Sequence, residues 1–291
     1  MRRAATILFI PSFMFLAFQD ITPEGKIAFL GLNGDSSSVY ITNKQNSVTK
    51  RVTHDSINVS DFTISPDGNK LAVTIDGDLF ILNISSGSMK KLTHNRRAYS
   101  PKWSPNGNHI AFSDRFGEYA ELCVIDTAGL QYRRLTPFHT SSGNISSTWS
   151  PDGKEIAFQG IGYDLFIVNV DEPAQIRQIT NTGNDKKRCV GRKFPAWSPN
   201  GEYIAYYGED HQCGLLKNGI YIVNTDGSNP KLILEIKYRS IMSWSPDSKH
   251  LACELMRNGR NDIYIINLKG EIVKKLTNSN RRNFQPSWSL H

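Results

Sequence analysis

The sequence lacks the patterns that mark several common classes of protein. Its 291 residues contain 4 Cys and no C-x-x-C pair, which excludes the usual zinc-binding and dithiol redox motifs. A G-x-S-x-G elbow, a Walker loop and a dinucleotide fingerprint are also missing. No apolar run outside the N-terminal segment approaches the roughly 18 to 20 residues of a membrane span. A polytopic membrane protein is therefore excluded.

The composition is that of a foldable globular chain. Apolar residues make up 39% and charged residues 21%, with 22 Gly and 13 Pro. The 34 Lys and Arg residues outnumber the 27 Asp and Glu residues, which gives a net charge of +7.

The N-terminus has the pattern of an export signal. Arg2 and Arg3 precede an apolar stretch over residues 4–18, and the chain turns polar at Gln19. We predict a signal peptide over residues 1–19 and a periplasmic or secreted protein. An uncleaved anchor is the alternative, because Phe15 makes a poor cleavage site, and a buried N-terminal strand or helix is another.

One internal repeat organises the remainder of the chain. The segment W-S-P-N/D-G-x-x-I/L-A recurs about every 45 residues, and all five Trp occupy its first position. The Trp slot, as we call this position, is held by Ile64, Trp103, Trp149, Trp197, Trp244 and Trp288. Each repeat also carries an apolar run ending in Asn or Asp, such as I-Y-I-V-N before Thr225. In most repeats this run is followed by two basic residues, a hydrophobic residue and Thr, as in K-K-L-T ending at Thr93.

These segments predict four short strands per repeat. In S-P-D-G, Pro presets φ, and Gly supplies the left-handed residue that closes a three-residue hairpin. Ser248 replaces this Gly in one repeat, which we expect to cost some stability without changing the topology. Four-stranded units of this length, repeated radially, are typical of β-propeller blades.

The chain ends predict how the ring closes. Trp288 stands in the Trp slot near the C-terminus with no repeat after it, while residues 25–53 form a repeat that lacks its first strand. Joined, the two ends make one complete blade and hide both sheet edges. We therefore predict an all-β, six-bladed propeller of four-stranded antiparallel blades as a single domain over residues 20–291.

At these motifs the sequence resembles the TolB-type propeller repeat family, also described as WD40-like or PD40. The resemblance covers roughly residues 22–291 and implies the propeller fold. It also implies an envelope-associated partner. TolB proteins carry an additional α/β domain before the propeller, and we expect that domain to be absent here.

Cations four to seven residues before the Trp slot are the candidate partner-binding residues. They come from four of the six predicted blades, where the chain turns towards the central channel. A ring of like charge at a concave opening attracts anions. The alternative is that these are solvated loop charges. The candidates are Arg96, Arg97, Arg192, Lys193, Arg239, Arg281 and Arg282.

The cysteines fall into two groups. Cys123 and Cys253 lie within predicted strands, where small buried thiols are ordinary. Cys189 and Cys213 lie in loops that emerge on one face of a propeller. They are candidates for a disulfide in an oxidising compartment, and two free thiols are the alternative.

Two further charged features have structural interpretations. The basic pairs of the repeats, such as Lys90 and Lys91, lie on the predicted outermost strands, where cations discourage pairing with other chains. His54 and His94 follow these strands in neighbouring blades and are too far apart to share an ion. We therefore predict no metal site and no cofactor.

We expect a non-enzymatic binding module that engages an envelope protein or an anionic polymer at the channel face. An enzyme acting on acidic polysaccharide, a lyase or hydrolase, is the alternative. It would need acid, base or metal-binding groups from different blades to converge on the channel. We expect a monomer, and no nucleic-acid partner, because an export signal removes the usual partner and no base-stacking motif is present.

Overall fold

The chain forms a ring of six four-stranded antiparallel sheets. The computed structural model describes residues 25–34, 36–42, 49–54, 57–136, 145–160, 162, 164–180, 190–210, 217–278 and 281–290. These residues form 24 strands and no α-helix. The predicted all-β class and six-bladed propeller are confirmed. The predicted signal peptide lies outside the described residues and stays a prediction.

Each blade is numbered by its place along the chain, and its strands are given from the channel outwards. Blade 1 contains β24 (Arg282–Trp288), β1 (Ile27–Asn33), β2 (Ser36–Thr42) and β3 (Thr49–Arg51). Blade 2 contains β4 (Asp61–Ile64), β5 (Lys70–Ile75), β6 (Asp78–Asn83) and β7 (Met89–Lys91). Blade 3 contains β8 (Ala98–Trp103), β9 (His109–Phe116), β10 (Tyr119–Asp126) and β11 (Tyr132–Arg134).

The other three blades follow the same order. Blade 4 contains β12 (Ser147–Trp149), β13 (Glu155–Gln159), β14 (Leu165–Asn169) and β15 (Ile176–Gln178). Blade 5 contains β16 (Val190–Trp197), β17 (Tyr203–Asp210), β18 (Gly219–Asn224) and β19 (Lys231–Glu235). Blade 6 contains β20 (Met242–Trp244), β21 (His250–Arg257), β22 (Arg260–Asn267) and β23 (Ile272–Lys275).

The core lies in layers between adjacent blades. Ile220 of blade 5 and Leu251 of blade 6 are fully buried in one such layer, together with Cys253. Trp244 joins the same two blades, because its indole Nε1 donates to the Ala196 carbonyl at 2.8 Å. The second and third strands have apolar residues on both faces, since each blade is sandwiched by two others.

The S-P-D-G segments form the predicted hairpins. In blade 2 the Gly68 amide donates to the Ser65 carbonyl at 2.9 Å, and Asp67 Oδ1 accepts from the Asn69 amide at 3.0 Å. Gly68 has φ of +68°, the left-handed conformation that favours glycine. Ser248 adopts φ of +57° at the equivalent position, so the turn keeps its form without glycine.

Pairing of β24 with β1 closes the ring, as predicted. The two strands are antiparallel, with Ile27 opposite Trp288. The Lys26 amide donates to Ser289 Oγ at 2.8 Å, which extends the contact past the strand ends. The first blade is therefore built from both ends of the described chain.

The antiparallel order fixes two faces for the ring. In blades 2 to 6 the first and second strands are joined by the S-P-D-G turns or their variants, and we call that side the turn face. Connections between the second and third strands, and between one blade and the next, emerge on the opposite side, the loop face.

Candidate functional site

The central channel is lined by the innermost strand of every blade. Its turn-face part is a cavity of about 380 Å³ bordered by the residues that immediately precede the Trp slot. We call these six residues the pre-Trp ring. They are Thr63, Lys102, Thr148, Ala196, Ser243 and Ser287.

The loop-face part of the channel is a second cavity of about 380 Å³. Its wall comes from all six blades and is mostly polar. The lining includes Asp61, Ser100, Ser147, Gln159, Lys193, Arg239 and Gln285. Lys102, Pro195 and Met242 border both cavities and so mark the waist of the channel.

Blades 1, 3 and 5 differ from blades 2, 4 and 6 at the channel wall. Ser100, Phe194 and Gln285 have φ of +53°, +57° and +52°, and each precedes a proline. The left-handed region is uncommon for such residues. The pairing register shifts beside each of them, which makes a bulge. The bulges at Ser100 and Gln285 direct their backbone amides towards carboxylates of the neighbouring blades.

Asp61 of blade 2 receives the first of these amides. Its carboxylate accepts from the Ser100 amide at 2.8 Å, from its neighbour Phe62 at 2.8 Å and from Gln285 Nε2 at 2.7 Å. Burial raises the pKa of Asp61, against the effect of the Lys102 charge and these hydrogen bonds. Three blades therefore meet at one carboxyl group.

Glu254 of blade 6 accepts from the second of these amides, that of Gln285. Its Oε1 accepts from the Gln285 amide at 2.7 Å. Burial raises the pKa of Glu254 to about 7, although the hydrogen bond and the Arg239 charge oppose the shift. Asp61 and Glu254 thus contact the same residue, Gln285, from opposite sides. Convergence of acidic groups from different blades, which sequence reasoning could not locate, is present here.

Two predicted cations point into the blades rather than the channel. Arg192 donates to Asp164 of blade 4 at 2.9 Å, and its side chain is only 13% exposed. Arg96 lies 3.2 Å from Asp114 and stacks over the Tyr132 ring. Both arginines are therefore structural ion-pair partners.

The other five predicted cations lie at or near the loop face. Lys193 lines the loop-face cavity and pairs with Glu209. Arg281 stacks over Tyr40, with its guanidinium carbon 4.0 Å from the ring centroid. Arg97, Arg239 and Arg282 are exposed, and Arg239 also borders the loop-face cavity.

Sequence reasoning missed a carboxylate at the start of the third strand. In blades 2, 4 and 6 this aspartate accepts from the Thr that ends the repeat, at 3.1, 2.9 and 2.8 Å. In blades 2, 3 and 6 the second residue of the basic pair also reaches this acid, at 2.8, 3.3 and 2.7 Å. We call this arrangement the strand latch. The acids are Asp78, Glu121, Asp164 and Asp262.

A sequence signal for the latch exists. Each acid precedes its Thr by 15 or 16 residues, a fixed distance that repeats with the blades. The basic pairs do lie on the outermost strands, as predicted. Their second members, however, stabilise the blade itself rather than only guarding its edge.

The described cysteines are buried and free. Cys123 and Cys253 lie in β10 and β21, as expected, and burial raises the pKa of Cys123 to about 12. Cys189 and Cys213, the disulfide candidates, lie outside the described residues. Among the described residues no three His, Cys, Asp or Glu side chains are grouped as a metal site would require. The same part of the chain contains no helix that could cross a membrane.

Curated relatives match parts of the chain. The uncharacterized peptidase YuxL of Bacillus subtilis is 35% identical over 112 residues, 34% of this chain and 17% of that protein. A TolB homolog of Chlorobium chlorochromatii is 35% identical over 100 residues, 33% of this chain and 22% of that protein. The chain thus spans less than a quarter of the length of these two relatives.

Solved structures share the fold over most of the chain. TolB from Acinetobacter baumannii superposes with a TM-score of 0.76 at 16% identity, covering 92% of this chain and 67% of that one. An oligogalacturonate lyase in complex with manganese has a TM-score of 0.62 at 13% identity, covering 85% and 73%. At such identities the likeness concerns the fold alone.

The family assignment rests on the sequence itself. The family described as TolB beta propeller domain, PD40, matches residues 17–237 and 191–290. Those matches contain the repeats, the turns and the closing strand seen in the structure. The chain belongs to the TolB beta-propeller family.

Proposed function

We propose that the protein is an exported, non-enzymatic binding module that engages an acidic envelope protein with its loop face. The observation that carries this proposal is the composition of that face. Arg97, Arg239 and Arg282 are exposed around the channel mouth, and Arg257 and Arg260 are exposed at the tip of the β21–β22 hairpin.

Large apolar side chains are exposed on the same face. Tyr238, in the connection between blades 5 and 6, is 49% exposed, and Met256 and Tyr119, at the loop-face ends of β21 and β10, are 42% and 40% exposed. Aromatic and Met side chains beside arginines are the composition of protein-binding surfaces. Membership of the TolB family and the similarity to a TolB homolog support an envelope partner. The protein acts as a monomer in this proposal.

The test compares two triple variants in a pulldown from an envelope extract. One carries Glu at three loop-face arginines, and the other carries Glu at three exposed lysines of the turn face. The loop-face triple replaces Arg97, Arg239 and Arg282, and the turn-face triple replaces Lys70, Lys154 and Lys249. Arg192 is left intact because glutamate beside Asp164 would break a buried ion pair.

We expect the loop-face triple to lose the captured partner and the turn-face triple to retain it. Capture by the wild type should weaken as salt rises, since surface charges are screened. Equal capture by both triples would contradict the proposal.

A second candidate function is cleavage of an acidic polysaccharide in the channel. The meeting of Asp61 and Glu254 at Gln285 favours it, because two carboxyl groups can serve as acid and base. Against it, backbone amides already occupy both carboxylates. Release of shorter products from polygalacturonate by the wild type, and its loss in Glu254→Gln, would favour this candidate over the first.

A further inference from the structure

The pre-Trp ring contains one charged residue. Five of its members are Thr, Ser or Ala, and the sixth is Lys102. Lys102 also borders the loop-face cavity, so its side chain lies at the waist between the two halves of the channel. The fold of a blade does not require a cation at this position, because the other five blades have a small residue there.

The Lys102 ammonium has no carboxylate partner. Among the described residues no Asp or Glu oxygen lies within 4.0 Å of its Nζ, in contrast to Lys91 or Lys275. The nearby Asp61 already accepts three hydrogen bonds. Burial lowers the pKa of Lys102, and the Asp61 charge opposes this effect without cancelling it. The ammonium is therefore partly dehydrated without a direct counter-ion.

Two other polar atoms beside this waist lack partners. Ser147 Oγ, in a fully buried residue, and Gln285 Oε1 have no hydrogen-bond partner among the described residues. Both residues line the loop-face cavity that Lys102 borders. A buried hydroxyl and a buried amide oxygen ordinarily find partners. One cation at the waist, and one hydroxyl and one amide oxygen in residues that line the same cavity, thus lack a direct partner.

We propose that the waist of the channel binds a hydroxylated monocarboxylate. Its carboxylate pairs with Lys102 Nζ, and its hydroxyl groups bond to Ser147 Oγ and Gln285 Oε1. A single negative charge fits best, because Asp61 and Glu254 flank Gln285 and would repel a second one. Each cavity, at about 380 Å³, lies within the usual range for small-molecule sites.

This site is separate from the proposed partner surface. Of the three loop-face arginines only Arg239 borders the loop-face cavity, whereas Arg97 and Arg282 are not among the residues that line either cavity. Loss of the carboxylate site in Lys102→Met should therefore leave partner capture unchanged, and replacement of Arg97 and Arg282 alone should leave carboxylate binding unchanged. The two proposals can fail independently.

The experiment uses titration calorimetry on the folded chain with D-gluconate and D-sorbitol as probes. The two share a hydroxylated six-carbon chain and differ in the carboxylate. We expect saturable binding of gluconate and none of sorbitol. Lys102→Met should weaken gluconate binding at least about tenfold, because it removes one charge-assisted hydrogen bond. Lys70→Met, which removes an exposed lysine of the turn face, is the matched control and should bind as wild type.

Ser147→Ala provides a second variant that keeps every charge. It should weaken gluconate binding while melting as wild type does, which covers the case in which Lys102→Met does not fold. Equal responses to gluconate and sorbitol, no binding of gluconate at millimolar concentration, or full affinity in a folded Lys102→Met protein would each overturn the proposal.

Discussion

At the residue scale, the acidic groups at and directly behind the channel wall are held mainly by backbone donors. Glu254 accepts from the Gln285 amide, and Asp61 accepts from those of Ser100 and Phe62. The Lys102 charge near Asp61 and the Arg239 charge near Glu254 oppose the effect of burial but do not outweigh it. Burial therefore dominates and raises the pKa of both groups. The bulges, by turning amides towards these acids, account for the left-handed Ser100 and Gln285.

The raised pKa of Glu254 predicts a stability that falls as pH rises. The folded pKa is about 7 against an ordinary value of 4.5, so the folded protein binds the proton more tightly than the unfolded chain. The stabilisation is complete below about pH 4.5 and is lost as pH rises through 7. The full penalty at high pH is on the order of 3 kcal/mol.

Urea unfolding at several pH values between 5 and 9 measures this effect. Glu254→Gln keeps an acceptor for the Gln285 amide but cannot ionise. Its free energy of unfolding should therefore not show the decrease with rising pH that Glu254 causes in the wild type. Histidines and other groups titrate equally in both proteins, so the difference between the two curves isolates Glu254. Parallel curves would mean that Glu254 titrates near its ordinary pKa.

At the scale of the strand, the latch ties the outer two strands of a blade together. In blade 2, Asp78 accepts from Thr93 and Lys91 and from the backbone amide of Arg96. Burial opposes ionisation, but these donors together lower the pKa of Asp78. Blade 5 has Gly219 and Glu235 where blades 2, 3, 4 and 6 carry the acid and the Thr, so it lacks the latch. The β18–β19 pairing persists, with a register shift.

Removing a latch acid should destabilise the protein strongly. Asp78→Ala leaves Thr93 and two backbone amides without an acceptor, and we expect a loss of about 2 to 4 kcal/mol in the free energy of unfolding. Asp171→Ala removes an exposed aspartate and should change it by less than about 0.5 kcal/mol. Chemical denaturation of both variants makes the measurement. A loss in Asp78→Ala no larger than in the control would refute a stabilising latch.

At the scale of the molecule, one strand joins the two chain ends into a ring. β24 supplies the innermost strand of blade 1, and Trp288 is buried against blade 6. Its amide donates to Ser243 Oγ of blade 6 at 2.9 Å. The closing strand is thus bound on one side by β1 and on another by the neighbouring blade.

Deleting residues 282–291 should open the ring. The inner edge of β1 would lose its partner, and an unpaired edge promotes association with other chains. We expect size-exclusion chromatography to show aggregates in place of the wild-type peak. Trp288→Ala keeps the strand, so it should elute as wild type with a loss of about 3 to 5 kcal/mol. A truncated chain with the wild-type elution and melting temperature would contradict this role of β24.

The fold could be predicted because its information is local and repeated. The S-P-D-G turn, the third-strand run and the Trp slot each lie within a few residues, and six copies of the pattern reinforce one another. The latch had a sequence signal of the same kind, the acid 15 or 16 residues before Thr. It was missed because that distance spans two strands and no single short motif contains both partners.

The direction of the candidate cations could not be predicted in the same way. Arg192 and Lys193 are adjacent, yet one reaches Asp164 in blade 4 and the other lines the channel. Successive side chains of a strand point to opposite sides, and the bulge at Phe194 shifts the register beside them. The number of residues between a cation and the Trp slot is therefore not enough to predict whether its side chain lies at the channel mouth.

The sequence by itself determined the blade count, the strand order and the closure of the ring. Strand periodicity and turn chemistry depend on residues close together in the chain, so they can be recognised without the tertiary structure. Only the tertiary structure brought Asp61, Lys102 and Gln285 together at the channel wall, with Glu254 directly behind Gln285. Asp61 and Gln285 are 224 residues apart in the chain, and ring closure makes them neighbours. The groups at the waist were decided by packing across blades, which no single repeat encodes.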